Sequence, residues 1–257
     1  MKAEVVLTVA ESKRLIAKGV TQLDSIKKKM REGMIVVCNG STNAYIYEEL
    51  TGERIEKRRY VTGGMAPSHV GRSWRVKPKK SLVLVDGVPD PTLDRFSALE
   101  EMERGDVYIK GANALNYREG IAGITIGSST GGTIGRALGP IMGKKLHLLI
   151  PVGLEKEVPF DLEKASRLSA EPDEHLDRVF SLWPVRGHIY TEIEALKTLC
   201  GVDSVPVAAG GLAGAEGGVR LLLRGEEAAV QRAVDLVEEV QGEPPVIPME
   251  EVAQKVG

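Results

Sequence analysis

The stretch "MIVVCNGSTNAYIYEEL", from Met34 to Leu50, decides the predicted fold. Four apolar residues form a short strand pattern, and a glycine with small polar residues follows from Gly40 to Asn43, where a helix must begin. A buried strand that ends in such a turn is typical of α/β proteins, in which the turn presents backbone donors to a ligand. The stretch therefore predicts both an α/β fold and a binding site at the end of this strand.

Helix and strand patterns alternate through residues 1–160, which predicts a Rossmann-like, doubly wound and mostly parallel sheet. Capping-box spacing at Thr8 and Glu11, and again at Thr21 and Asp24, predicts two helices near the start of the chain. Beyond "MIVV", we predict a helix over "LDRFSALEEMERG" and strands over "RRYVTG", "KSLVLVDG", "GDVYIKGA", "GIAGITIGSS" and "KLHLLIPVG".

The last part of the chain, residues 161–257, is interpreted as a ferredoxin-like α+β domain. From about Leu176 the patterns follow the order strand, helix, strand, strand, helix, strand: "LDRVFSLWPV", "TEIEALKTLCG", "DSVPVAA", "VRLLLRG", "EEAAVQRAVDLVEEVQG" and "PPVIP". This order predicts a four-stranded antiparallel sheet with two helices on one face. Thr191 and Glu194 have capping-box spacing at the first of those helices. The turn "GGLAGAEGG" is interpreted as a long hairpin connection, with a mobile binding loop as the alternative.

Composition narrows the classes of function. The chain has 257 residues, of which 42% are hydrophobic, and a net charge of -2, so it can bury a core but is not expected to bind nucleic acid or a membrane surface. It shows neither a signal peptide nor an apolar segment of roughly 18 residues, which predicts a cytoplasmic location. Cys38 and Cys200 are expected to be structural thiols. No metal or cofactor is expected, because the four histidines are scattered: His69, His147, His175 and His188.

Three glycine-containing loops at predicted strand ends carry the candidate ligand-binding residues. Because parallel strands deliver their loops to one edge of a sheet, we expect Gly40, Gly111 and Gly127 to converge there. Amides at a helix start, hydroxyls and a cation suit a phosphate or carboxylate, although the first loop could simply cap a helix. The candidates are Gly40, Ser41, Thr42 and Asn43, then Lys110, Asn113 and Asn116 in "KGANALNYREG", and Ser128, Ser129, Thr130, Gly131, Gly132 and Arg136 in "IGSSTGGTIGRALG".

Taken in this order, "GMIVVCNGSTNAYIYEEL", "GDVYIKGANALN", the glycine-rich loop and "KKLHLLIPVGLEKEVP" resemble one superfamily over residues 8–160. It unites ribose-5-phosphate isomerase A, the CoA transferases, the DeoR-type sugar-phosphate sensor domains and the lactate-utilisation (LUD) proteins. In the isomerases a G-S-T turn binds the sugar phosphate, and the resemblance places that turn on Gly40, Ser41 and Thr42.

The departures from this superfamily concern the catalytic carboxylates. The isomerase motif G-A-D-E-[VI]-D falls on "GANALN", so Asn113, Ala114 and Asn116 stand where the family has acidic residues. An amide cannot transfer a proton near neutral pH, which argues against isomerisation by that machinery. Asp86, at a predicted strand end, and Glu119, in "YREGIAG", are the remaining candidate catalytic carboxylates, and both also suit ordinary turns.

The stretch from Arg54 to Lys80 is basic, because it contains nine Lys or Arg residues and one Glu. It could hold the phosphates of a CoA ester or a nucleotide, or it could be a solvated face. The segment "VTGGMAPSHVGRSW" within it, which contains His69, Gly71 and Trp74, is interpreted as a long loop over the site and a possible lid.

Two classes of function remain open from the sequence. In the first, the chain binds a small anionic metabolite (a sugar phosphate, a CoA ester or a carboxylate) as a sensor without turnover, as the amides of Asn113 and Asn116 suggest. In the second, it is a divergent sugar-phosphate isomerase or acyl-CoA transferase-like enzyme that uses Asp86 or Glu119. The second domain is expected to serve assembly or regulation, and the exposed face or edge of its sheet predicts a homo-oligomer.

Overall fold

The computed structural model describes residues 1–66, 75–172 and 179–248. The helices are α1 (Val9–Gln22), α2 (Asp24–Lys29), α3 (Ser41–Thr51), α4 (Ala98–Glu101), α5 (Gly132–Lys144), α6 (Leu162–Ala170), α7 (Glu192–Cys200) and α8 (Glu227–Val240). The strands are β1 (Lys2–Leu7), β2 (Met34–Val37), β3 (Leu82–Val85), β4 (Val88–Pro89), β5 (Val107–Ile109), β6 (Ala114–Asn116), β7 (Ile121–Ile126), β8 (His147–Pro151), β9 (Ser181–Val185), β10 (His188–Tyr190), β11 (Asp203–Gly210) and β12 (Gly218–Arg224). Short 3-10 helices cover Lys57–Tyr60 and Leu154–Lys156.

The main sheet has six strands in the order β10-β8-β5-β2-β3-β4. Strands β10, β8, β5 and β2 are parallel, whereas β3 and β4 form an antiparallel hairpin at one side. The four residues of β2 are all buried, as expected for a strand covered on both faces. The fold is therefore α/β with a mixed sheet, and the carboxyl ends of four parallel strands share one edge.

Two smaller antiparallel sheets flank the main one. Strands β6, β7 and β9 form the first, and strands β1, β12 and β11 form the second. Helix α1 packs between α3 and α7, and α8 lies against β1 and α7. One continuous hydrophobic core includes Leu15 of α1, Val36 of β2, Leu149 of β8 and Leu221 of β12.

The predicted four-stranded antiparallel sheet after Leu176 is wrong. Of its strands, β9 pairs with β7, and β11 and β12 pair with β1 at the start of the chain. The segment "PPVIP" forms no strand in its described residues 244–248, and residues 173–178, including His175 and Leu176, lie outside the described part. Strands before residue 160 thus pair repeatedly with strands after it. The prediction failed because apolar alternation identifies a strand but does not specify the strand with which it pairs.

Other expectations for residues 1–160 also need correction. Strand β7 belongs to a small antiparallel sheet and not to the main sheet, "RRYVTG" contains a 3-10 helix, and the helix predicted over "LDRFSALEEMERG" is reduced to α4. Thr8 and Glu11 form the predicted capping box, but Thr21 instead donates to the carbonyl of Lys18 at 2.7 Å, and α2 begins after Leu23.

Two local predictions for the last part are confirmed. Thr191 and Glu194 form a capping box at the start of α7. The glycine-rich turn joins the paired strands β11 and β12, as a long hairpin connection does. No helix in the described ranges is long and apolar enough to cross a membrane.

Candidate functional site

The carboxyl ends of the four parallel strands form the strand-end edge, which we define by the residues that follow β2, β5, β8 and β10. These are Cys38–Gly40, Lys110–Gly111, Val152–Lys156 and Thr191–Glu192. The backbone hydrogen bonds between the parallel strands continue into this edge. The Cys38 amide donates to the Ile109 carbonyl at 3.0 Å, and the Lys110 amide donates to the Leu149 carbonyl at 3.0 Å. Gly40 and Gly111 therefore lie at one edge as predicted, whereas Gly127 follows β7 of another sheet.

The first predicted loop is built as the sequence indicates. Gly40 is the N-cap of α3, and its amide donates to the Tyr60 carbonyl at 2.9 Å. The fully buried Asn43 has a different role from a ligand donor: its amide nitrogen donates to the carbonyls of Cys38 at 2.8 Å and Ile109 at 3.3 Å. Asn43 thus ties the end of β2 to the end of β5.

Two buried oxygens at the start of α3 lack a hydrogen-bond donor among the described residues. They are Oγ1 of Thr42, whose side chain is 2% exposed, and Oδ1 of Asn43. A side chain at Gly111 would begin 3.9 Å from that Asn43 oxygen, so the oxygen lies next to the turn after β5. Buried polar atoms normally have partners, and a hydroxyl group of a ligand is one way to supply them.

Arg95 joins two of the predicted loops, although the sequence did not identify it. Its guanidinium donates to Asn39 Oδ1 at 3.0 Å, just before α3, and to Thr133 Oγ1 at 3.3 Å, in the first turn of α5. The residue lies inside the segment that the sequence assigns to a helix, where an arginine is usually a surface residue. The start of α5 therefore lies beside the strand-end edge.

Lys110 and Lys156 place two ammonium groups at the same turn. Lys110 Nζ donates to the Gly111 carbonyl at 2.8 Å, and Lys156 Nζ donates to the next carbonyl, that of Ala112, at 2.9 Å. Both side chains are half-buried. Desolvation lowers the pKa of Lys110, and it lowers the pKa of Lys156 to about 8. Lys156 was not predicted, because in "GLEKEVP" it resembles any surface lysine.

Two carboxylates that the sequence also missed complete the strand-end edge. Glu192, at 0% exposure, accepts from the Leu154 amide at 3.0 Å. Burial and the neighbouring Glu155 raise the pKa of Glu192 to about 7. Glu155 forms an ion pair with the buried Lys13 at 3.3 Å. Glu192 therefore changes charge close to neutral pH.

The second predicted loop lines a different surface. Ser128, Ser129 and Gly131 line an open groove of about 580 Å³ together with residues of α6 and β9. The hydroxyl groups of Ser128 and Thr130 are hydrogen-bonded to each other at 3.0 Å. Gly131 adopts φ 74°, and a side chain there would begin 3.0 Å from both Gly135 Cα and the Trp183 ring, so a valine at Gly131 should destabilise the fold whether or not a ligand binds.

The two remaining candidates in this loop, Gly132 and Arg136, begin a helix and stack on an aromatic ring, respectively. Gly132 is the first residue of α5, and the exposed Arg136 stacks on Phe96, with 3.8 Å from the guanidinium carbon to the ring centroid. Arg95 lies over the same ring at 4.6 Å. Arg136 is thus close to the strand-end edge without a hydrogen bond to it among the described contacts.

The third loop divides between the edge and the small sheet. Lys110 stays at the strand-end edge, but Asn113 and Asn116 are used locally: Asn113 Oδ1 accepts from the Thr125 amide at 3.0 Å, and Asn116 Oδ1 accepts from the Glu119 amide at 3.1 Å. Glu119 itself is exposed in the turn between β6 and β7. Glu119 is therefore a surface residue of an ordinary turn.

Asp86 lies at the opposite edge of the main sheet. Strand β3 is antiparallel to β2, with Val85 opposite Met34, so the turn after β3 sits beside the start of β2. Asp86 adopts φ 49°, and its carboxylate accepts from the Gly33 amide at 2.7 Å. The geometry supports its role as a turn residue and separates it from the strand-end edge.

Three cations in the described part of the basic stretch contact acidic neighbours. Arg54 and Lys57 contact Glu48 at 3.0 and 3.4 Å, and Lys79 contacts Glu53 at 3.5 Å. Residues 67–74, which include most of the predicted lid with His69, Gly71 and Trp74, lie outside the described residues. An extended polyanion site on this stretch therefore stays a prediction.

Two histidines meet at the edge opposite the site. His147 begins β8 and His188 begins β10, and their ring nitrogens Nε2 and Nδ1 are 3.1 Å apart. Burial lowers the pKa of both rings. Within the residues that the structure describes, no group of three or more His, Cys, Asp or Glu side chains could hold a metal ion.

The buried Cys38 lies at the edge as a free thiol, and burial raises its pKa, as expected for a structural cysteine. Comparison with known proteins gave no match to a family model, to a curated protein or to a solved structure.

Proposed function

We propose that the chain binds a small phosphorylated or carboxylated metabolite at the strand-end edge. One observation carries the proposal: Arg95, Lys110 and Lys156 all donate to neutral oxygens, and among the described residues none of them has a carboxylate within 4.0 Å. In contrast, Arg14 contacts three carboxylates. Partly buried cations that no carboxylate contacts directly attract an anion, and amides at the start of α3 add further donors.

The resemblance to the isomerase and CoA transferase superfamily belongs to the same proposal. Its support is the turn after β2, where Gly40 and Ser41 begin α3 beside these cations, at the carboxyl ends of four parallel strands. A cytoplasmic location and a homo-oligomer stay predictions of the sequence.

A divergent isomerase or acyl transferase is the second candidate, and Glu192 is the observation that favours it. It is a buried acid at the end of β10 whose pKa is about 7, so it can take up or release a proton at neutral pH. It would replace Asp86 and Glu119, which lie elsewhere. A time course of proton exchange at the carbon next to a sugar phosphate carbonyl separates turnover from sensing.

A thermal-shift and calorimetry screen tests the main proposal. It should use inorganic phosphate, sugar phosphates, CoA esters and small carboxylates, and Lys110→Met should weaken every anionic hit by at least about tenfold. Lys145→Met, which removes an exposed lysine of the same size, is the matched control and should bind normally. Equal binding by both variants would contradict the proposed site.

A further inference from the structure

Lys156 is placed as a reactive amine would be. It ends the one-turn helix that follows β8, its side chain keeps part of its surface accessible, and its ammonium group is held by a single neutral carbonyl, that of Ala112. No ion pair in the described part of the chain fixes it in the charged form.

A second cation stands beside it. Because Lys110 and Lys156 donate to the carbonyls of consecutive residues, Gly111 and Ala112, their ammonium groups lie at the same turn. Desolvation lowers the pKa of Lys156 most, the like charges of Lys13 and Lys110 add to that effect, and the carboxylates of Glu155 and Glu192 oppose it. An amine that is desolvated next to another cation is available as the free base near neutral pH, which is one of the established ways to activate a lysine nucleophile.

We propose that Lys156 is a nucleophile that forms an imine with the carbonyl group of a phosphorylated or carboxylated aldehyde or ketone, while Lys110 binds the anionic group of that compound. This inference rests on the proposed function, since it takes the anion at the strand-end edge as given. It adds the substrate class: an anionic carbonyl compound.

The step balances with the groups at the edge. The Lys156 nitrogen attacks the carbonyl carbon, the new C–N bond forms as the C=O π bond opens, and a proton moves from nitrogen to oxygen. The resulting hydroxyl then leaves as water after it takes a proton from an acid, and the C=N bond forms. Glu192 is the member of this cluster that carries a proton close to neutral pH.

Borohydride trapping tests the inference. The intact protein is incubated with dihydroxyacetone phosphate or with pyruvate, reduced with borohydride, and examined by mass spectrometry of the whole chain and of its peptides. Reduction converts an imine to a stable secondary amine, so we expect one adduct per chain, with the mass of the probe less one oxygen, on the peptide that contains Lys156. The trapping rate should rise as pH approaches about 8, following the pKa of that amine.

Two variants sharpen the result. Lys156→Arg keeps the positive charge but has no nucleophilic amine, so it should lose the adduct. Lys197→Arg, at an exposed lysine paired with Asp203, should be trapped like the wild type. The wild-type peptide map stands independently of whether the variants fold.

The outcomes separate the two proposals. Binding of inorganic phosphate without an adduct, or an adduct spread over exposed lysines, overturns the role of Lys156 and leaves the anion site intact. Absence of both phosphate binding and the adduct overturns both proposals. An adduct on Lys156 that forms equally with a neutral ketone such as acetone supports the nucleophile and removes the requirement for an anion.

Discussion

The guanidinium of Arg95 donates to the side-chain oxygen of Asn39 at 3.0 Å and, from its other side, reaches the hydroxyl of Thr133. One partly buried cation therefore lies between the turn that opens α3 and the first turn of α5. Helix amino termini favour anions, so Arg95 is expected to contribute to anion binding as well as to loop structure.

Arg95→Gln should weaken binding of inorganic phosphate about ten- to a hundredfold, because a charge-assisted hydrogen bond is worth roughly 1.5–3 kcal/mol. Titration calorimetry at low salt measures the change. Arg104→Gln removes an exposed arginine and serves as the control. If both variants bind phosphate with wild-type affinity, Arg95 only braces the loops.

Arg14→Met should lower the free energy of unfolding by about 3–5 kcal/mol, because it leaves buried carboxylates without their partner. The guanidinium is 3% exposed and contacts Glu48 at 2.5 Å and Glu243 at 2.9 Å. Urea denaturation provides the measurement. The control, Arg220→Met, breaks a half-exposed pair with Glu4 and should cost less than about 1 kcal/mol. Similar losses for the two variants would contradict a special role for the buried network.

Glu192 should make the protein less stable as pH rises from about 4.5 to about 7. In this range the folded state still holds the Glu192 proton that the unfolded state has released, so its contribution is complete below pH 4.5 and is lost above pH 7. Glu192→Gln cannot titrate. The unfolding free energy of this variant, relative to that of the wild type, should rise by roughly 3 kcal/mol across this pH range. Urea titrations of both proteins at matched pH measure the difference. A constant difference would show that folding does not change the pKa of Glu192.

Asp86→Ala should lower stability by about 1–2 kcal/mol and leave phosphate binding unchanged, because Asp86 holds a left-handed turn at the edge opposite the site. Asp86→Asn can keep both the turn and the hydrogen bond to Gly33, so its melting temperature should stay near the wild-type value. Loss of phosphate binding in either variant, once it is shown to be folded, would indicate that Asp86 contributes to the binding site.

Local signals predicted the strand, turn and helix around Gly40 well. The β2–turn–α3 unit follows from an apolar run, a glycine and capping residues that are adjacent in sequence, and the same is true of the capping box at Thr8. What could not be predicted is the pairing of strands. The segment "KAEVVL" forms β1 only because "GVRLLLR" supplies its partner more than 200 residues later.

The missed site residues share a different cause. Lys156 and Glu192 stand in segments rich in charge, and in sequence alone they do not differ from residues on a solvated face. Glu192 is buried where α7 packs against α1 and the turn after β8, and Lys156 contacts the turn after β5, all of which are distant along the chain. Asp86 and Glu119 looked more prominent because an acidic residue before glycine stands out, although that pattern is also turn chemistry.

The pairing of β1 with β12 has a consequence for synthesis. Lys2 to Leu7 leave the ribosome more than 200 residues before their partners, Val219 to Arg224. Val5 and Leu7, both buried in the finished protein, must therefore wait in contact with water or a chaperone during elongation. Strand β1 is thus translated long before the partner on which it docks.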